Sequence, residues 1–197
     1  MIHILALPGS LRRGSYNRLL LAAAAGLAPA ATTVRLFADL ASIPLFDEDL
    51  EGEEAALPDA VVRLRRAVDS ADGVLIATPE YNQSIPGVLK NAVDWLSRSG
   101  EVLAEKPVAV VGASTGPWGT RLAQSALRQV LHATGSLVLP GAALYARDAA
   151  HLFDGDGRLV DPATREALAN VLARFADWIH RAGSPADPRH HPPVTLG

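Results

Sequence analysis

Apolar residues along this chain come in short unbroken runs, and stretches with helical spacing lie between them. Runs at Ile2 to Leu7, Thr33 to Phe37, Gly73 to Thr78 and Val108 to Gly112, apolar apart chiefly from His3 and Arg35, predict strands, as does a fifth from Leu137 to Leu144 broken by Pro140 and Gly141. Strands apolar on both faces belong in a parallel sheet covered above and below, whereas half-exposed antiparallel strands alternate. Apolar positions three and four apart predict helices over Asn17 to Leu27, Pro58 to Ser70, Pro86 to Ser97, Thr120 to Thr134 and Pro162 to Arg181. With right-handed crossovers, this order gives an α/β fold. It is a doubly wound parallel five-stranded sheet in order 2-1-3-4-5 with helices on both faces. Ligands of such sheets bind beyond the carboxyl ends of the strands, where the order reverses. The loops after the first and third strands are therefore expected to face one ligand.

The first of these loops, Leu7-Pro8-Gly9-Ser10-Leu11-Arg12-Arg13-Gly14-Ser15-Tyr16-Asn17, runs from strand into helix. A helix start offers unpaired N–H groups and a positive dipole end, glycines let backbone approach an oxyanion, and Ser, Arg and Asn side chains add donors. That chemistry suits a phosphate monoester. Gly9 and Gly14 have the spacing of a triphosphate loop, but Ser15 stands where its lysine belongs. A dinucleotide fingerprint is also absent, because Gly9 is the only glycine between Leu7 and Leu11.

After the third strand, Pro79 and Pro86 bracket Glu80-Tyr81-Asn82-Gln83-Ser84-Ile85 and restrain the backbone at both ends. Backbone groups held in this way can read the edge of a planar heterocycle such as a flavin, with Tyr81 beside it. The loop after the fourth strand, Gly112-Ala113-Ser114-Thr115-Gly116-Pro117-Trp118-Gly119-Thr120-Arg121, lies next to it in the expected order and suits a hydroxylated chain. The same loop contains Gly-x-Ser-x-Gly, with Asp148 or Asp161 and His151 or His180 downstream, which makes a serine hydrolase built on Ser114 a lesser alternative. A nucleophile elbow needs its helix to start directly after the serine, and Pro117-Trp118-Gly119 lengthen the connection instead.

Composition narrows the remaining classes. The absence of cysteine removes disulfides, thiolate metal sites and dithiol chemistry, so redox work requires a cofactor. Net charge is −3, and the basic residues, all arginine except Lys90 and Lys106, are scattered rather than gathered on one face, so no nucleic-acid partner is expected. The uncharged stretch from Leu19 to Val34 contains Gly26 and Pro29 and falls short of the ~20 apolar residues of a membrane span. No secretion signal is evident, and cytoplasmic residence is the expectation. One domain over residues 1–182 and a flexible C-terminal tail over 183–197 are expected, with His190 and His191 solvated in that tail and no metal site. The acidic run Asp47 to Glu54 reads as an exposed connection, and Phe153-Asp154-Gly155-Asp156-Gly157-Arg158 as a tight turn.

Taken together, Gly9-Ser10-Leu11-Arg12 with Ser15 and Asn17, followed by Pro79-Glu80-Tyr81-Asn82, Ser84, Pro86, Lys90-Asn91, Asp94-Trp95-Leu96 and Arg98, resemble the NADPH-dependent FMN reductase family, nearest its chromate and quinone reductase branch. The resemblance extends from the start of the chain to about Arg181 and implies a flavodoxin-like fold, noncovalent FMN, and a homodimer or homotetramer. It also implies that Ser10, Arg12, Ser15, Tyr16 and Asn17 hold the phosphate, that Glu80, Tyr81, Asn82 and Gln83 line the isoalloxazine, and that Ser114 adds a contact. Pro79, Thr115 and Gly116 join them as candidates from the same loops. The activity implied is hydride transfer from NADPH or NADH through FMN to quinones, free flavins, azo compounds or chromate. A flavodoxin-type electron carrier is the alternative. Two positions depart from the family pattern. Gly119-Thr120-Arg121 stands where many relatives have a Gly-Gly pair before the arginine, and Gln83 where relatives often carry an aromatic residue or glycine.

Overall fold

A computed structural model describes residues 1–51, 57–98 and 101–183. Five parallel strand positions form its sheet in the order 2-1-3-4-5. The strands are β1 (Ile2–Pro8), β2 (Thr32–Leu36), β3 (Gly73–Ala77) and β4 (Pro107–Ala113), with β5 (Leu137–Val138) and β6 (Leu144–Ala146) sharing the fifth position. Helices α1 (Tyr16–Leu27) and α5 (Pro162–Gly183) cover one face, and α2 (Asp59–Asp69), α3 (Gly87–Leu96) and α4 (Arg121–Ala133) cover the other. The expected tail, 183–197, begins at the last residue of α5, and residues 184–197 lie outside the described residues.

The unbroken apolar strands are explained by two cores. Ile4 and Ala6 of β1 face Leu20, Leu21 and Phe175, while Leu5 and Leu7 face Leu64, Leu89 and Leu96. Burying each such aliphatic side chain stabilises by about 1.5–3 kcal/mol, and both layers must be present for the sheet to be dry. At the sheet's centre β1 and β3 run in register, with Pro8 beside Ala77. Their following loops therefore leave the sheet side by side.

The interrupted fifth run has a physical cause. Val108 pairs with Val138 and Val111 with Leu144, so β4 advances three residues where its neighbour advances six. Pro140 and Gly141 lie in the three-residue excess, because proline supplies no N–H to a ladder. The freed carbonyls are taken by guanidinium groups: Arg128 donates to Leu139 and Ala142, and Arg174 to Pro140 and Gly141. Burial pushes the Arg128 pKa down, the amount of water given up outweighing its neighbours' attraction.

Candidate functional site

At the carboxyl edge of the sheet, β1 leads into a loop that ends on Ser15, the N-cap of α1, whose hydroxyl accepts from the Arg18 N–H at 3.4 Å. Ser10 and Ser15 are buried, and the Ser10 hydroxyl accepts from the Arg12 N–H. Arg12 bends back over its own loop, donating to the Gly14 carbonyl at 3.0 Å with its guanidinium carbon 5.6 Å from the Tyr16 ring centre. Tyr16 is in turn stacked on Phe153, centroids 5.8 Å apart. A cation, two hydroxyls and the first N–H groups of a helix thus surround one small space.

Asn17 is placed differently from the other loop side chains. Its carboxamide donates to the Ala113 carbonyl and accepts from the Ala113 N–H, both at 2.9 Å, in a buried setting. Asn17 therefore ties the start of α1 to the end of β4 and fixes the first and third loops relative to one another. Ser114 follows at once, its N–H on the Ala146 carbonyl and its hydroxyl accepting from Gly116 at 3.1 Å.

The loop after β3 is a two-residue hairpin. Tyr81 and Ser84 exchange both backbone hydrogen bonds at 3.0 Å, and the residues between them, Asn82 and Gln83, are left-handed with φ of 49° and 63°. Two successive positive φ values make a type I′ turn, which glycine and asparagine favour and glutamine does not. The left-handed region costs about 1–2 kcal/mol at a residue such as Gln83, and conformations of this kind gather at ligand clamps. The N–H groups of Asn82 and Gln83 have no hydrogen-bond partner among the described residues. Two fixed donors are thus available to a ligand edge.

Glu80, one residue before the turn, carries its carboxylate to the N-terminus of α4, accepting from the N–H groups of Leu122 and Ala123 at 2.9 and 3.0 Å. Thr120, the N-cap of that helix, makes no side-chain cap bond of its own, so Glu80 replaces it from another loop. The third and fourth strands are joined equally tightly at this level. A Cβ at Gly112 would overlap Thr120 Oγ1 and the Thr78 carbonyl, so only glycine fits there.

Ser10, Arg12, Ser15, Tyr16, Asn17, Pro79, Glu80, Tyr81, Ser114 and Thr115 line one cleft of about 150 Å³, together with Ala113. Gln83 faces an adjoining hollow that shares Glu80 with the cleft. Asn82 and Gly116 flank the lining through the turn and the third loop. Trp118, Leu122 and Tyr145, which line that hollow, did not emerge from sequence reasoning. The signal available in the sequence was the Pro117-Trp118-Gly119 turn, whereas the exposure of Tyr145 between buried Leu144 and Ala146 is seen only in the structure.

For the hydrolase alternative, the loop carrying Asp148 and His151 runs beside Ser114, with the Ala149 N–H on the Ser114 carbonyl. Among the described residues, however, no hydrogen bond joins the Ser114 side chain to Asp148, His151, Asp161 or His180, and its hydroxyl accepts from the Gly116 N–H. Ile179 and Phe175 fill the space beside Gly73 at the start of β3, so His180 lies at the amino edge of the sheet while Ser114 lies at the carboxyl edge. Asp161 caps α5, where the Thr164 hydroxyl and N–H hold its carboxyl below the usual aspartate range. Among the described residues no group of His, Asp and Glu is placed to hold a metal. The helix motif after Pro86 holds a neighbouring segment. Asn91 bonds Pro44 and Phe46, Trp95 bonds Pro44, and Arg98 grips Glu51 while lying over the Phe46 ring.

Sheet order, a phosphate-sized pocket at the first helix and a backbone-lined slot beside it define a flavodoxin-like nucleotide-binding protein. The chain belongs to the NADPH-dependent FMN reductase family, whose model matches residues 2–151. This is an oxidoreductase family that uses FMN with a nicotinamide donor. An NAD(P)H-dependent FMN reductase of Pseudomonas aeruginosa is 42% identical over 181 residues, covering 91% of this chain and 96% of the relative. A quinone reductase of Escherichia coli is 37% identical over 182 residues, with coverage of 91% and 96%. The solved structure of a flavoenzyme NAD(P)H:(acceptor) oxidoreductase from Paracoccus denitrificans superposes with a TM-score of 0.83 at 33% identity, covering 92% of this chain and 99% of that one.

Proposed function

We propose that this protein is an FMN-dependent NAD(P)H:quinone reductase in which donor and acceptor meet the same face of the flavin in turn. The observation that carries the reading is the Tyr81–Ser84 turn. It holds two unpaired N–H groups beside a pocket with a cation, two buried hydroxyls and a helix N-terminus. That donor set fits a ring with acceptors along one edge, joined by a polar chain to a dianionic phosphate. When bound, FMN supplies the hydride chemistry.

On this reading Ser10, Arg12 and Ser15 neutralise and orient the phosphate, with Tyr16 as the platform under Arg12. Asn82 and Gln83 present backbone donors to the ring edge, and Pro79 and Glu80 hold that turn in place. Asn17 acts through Ala113, keeping Ser114, Thr115 and Gly116 beside the intervening chain. A flavin held in this way is oriented for hydride transfer without a separate acid-base pair. Quinones are the favoured acceptors, supported by the names of the relatives in Escherichia coli and Pseudomonas putida. Free flavins, azo compounds and chromate are further candidates. A homodimer or homotetramer working in the cytoplasm completes the proposal.

Anaerobic addition of NADPH to the purified yellow protein tests it. Bleaching within the mixing time, with colour restored by a quinone, is expected. Colour that persists until a separate reductase is added would instead indicate an electron carrier.

A further inference from the structure

Beside the cofactor cleft, and sharing Glu80 with it, is a hollow of about 580 Å³. Its walls leave large apolar surfaces in water: Trp118 is 69% exposed, Leu122 50% and Tyr145 39%. The arrangement is held by backbone. Gly119 is left-handed at φ 64°, and a Cβ there would lie 3.0 Å from the Tyr145 carbonyl carbon, so the Trp118 loop packs directly on Tyr145. Two aromatic side chains are thereby kept at one opening.

Arg121 lines the same hollow from the first position of α4. Its guanidinium has no hydrogen bond, ion pair or ring contact among the described residues, whereas Arg12, Arg63, Arg98, Arg128 and Arg174 all have partners. The one acid in the hollow, Glu80, is already satisfied by the N–H groups of Leu122 and Ala123. The same bonds occupy the helix N-terminus. Arg121 is therefore the one uncommitted cation here, with aromatic surface beside it.

We propose that this hollow is the acceptor subsite and that it selects planar aromatic acceptors bearing an anionic substituent, such as sulfonated, carboxylated or ionised hydroxy quinones. The proposal rests on the reading that the adjoining cleft holds FMN. The acceptor ring lies against Trp118 and Tyr145, and its anionic group takes charge-assisted hydrogen bonds from Arg121. Anionic quinones are then preferred to neutral ones of equal size.

The test uses FMN-loaded enzyme and two acceptors, a sulfonated naphthoquinone and methyl-naphthoquinone. Arg121→Gln is expected to raise KM for the sulfonated quinone about tenfold, equivalent to ~1.4 kcal/mol, and for the neutral one less than about twofold. Arg121→Lys restores part of the difference, and Trp118→Leu raises both KM values. Equal changes for the two quinones overturn the proposal. A rise confined to the KM for NADPH, absent with NADH, also overturns it and assigns Arg121 to the donor's phosphate. FMN affinity of Arg121→Gln, followed by flavin fluorescence, is expected to stay within about twofold of the parent. Failure of the parent protein itself to bind FMN would sink the cofactor reading instead.

Discussion

The loop from Gly9 to Ser15 and the turn from Tyr81 to Ser84 line the same cleft by different means. The first loop spends side chains: Ser10, Arg12 and Ser15 bring hydroxyls and a guanidinium to one place. The turn spends backbone, since Asn82 and Gln83 are held left-handed and their N–H groups are left free. A side chain can be read from a sequence, whereas a left-handed glutamine cannot. The contrast predicts opposite mutational sensitivities. The first region should respond to which atoms a residue carries, and the second to which φ it tolerates.

The largest effect is expected in the first region. On the proposed phosphate role, Arg12→Ala combined with Ser15→Ala would remove two charge-assisted bonds at ~1.5–3 kcal/mol each, so FMN affinity should fall at least about a hundredfold in a fluorescence titration. Unchanged affinity would separate this loop from the phosphate. Asn17→Ala leaves the buried Ala113 N–H and carbonyl unpaired at ~1–3 kcal/mol each. A stability loss of ~2–6 kcal/mol should appear as a lower urea midpoint.

The turn is probed by shape. Gln83→Val forces a β-branched side chain into positive φ and should cost about 1–2 kcal/mol with weakened FMN binding, whereas Gln83→Gly should bind FMN as the parent does. If the glycine variant binds poorly, the glutamine side chain matters and the contrast fails. Glu80→Gln keeps the turn but weakens the cap on α4, with an expected loss of ~1 kcal/mol by urea unfolding.

A small pH effect lies away from both regions. Arg98 holds the Glu51 carboxyl below its ordinary value of 4.5, chiefly by hydrogen bonding. A depressed native pKa means that the contribution is complete above the ordinary value and is lost as the pH falls through the lowered one. Arg98→Met should therefore narrow the gap between urea midpoints measured at neutral and acid pH.

Much of the fold was legible because burial on both faces demands unbroken apolar runs. Ile2 to Leu7 and Gly73 to Thr78 match β1 and β3 to within a residue. The fifth strand was legible only as an interruption, because the arginines that satisfy the carbonyls at and beside Pro140 and Gly141 reach them from α4 and α5. In the site, Asn17 was visible as a polar residue at a helix start, but its partner Ala113 is 96 residues away. Glu80 likewise appeared as a loop acid, and its service to α4 depends on a contact across 42 residues. Trp118 and Tyr145 come together only through the close approach at Gly119.

The broken fifth strand also governs what may join the sheet from outside. Carbonyls of Leu137, Leu139, Pro140, Gly141 and Ala142 already hold donors from Trp178, Arg128 and Arg174. An incoming extended segment would find fewer free acceptors for its amide hydrogens along that border. Growth of the sheet is thereby discouraged on this flank, at the end where an orphan strand would otherwise invite fibre-like stacking.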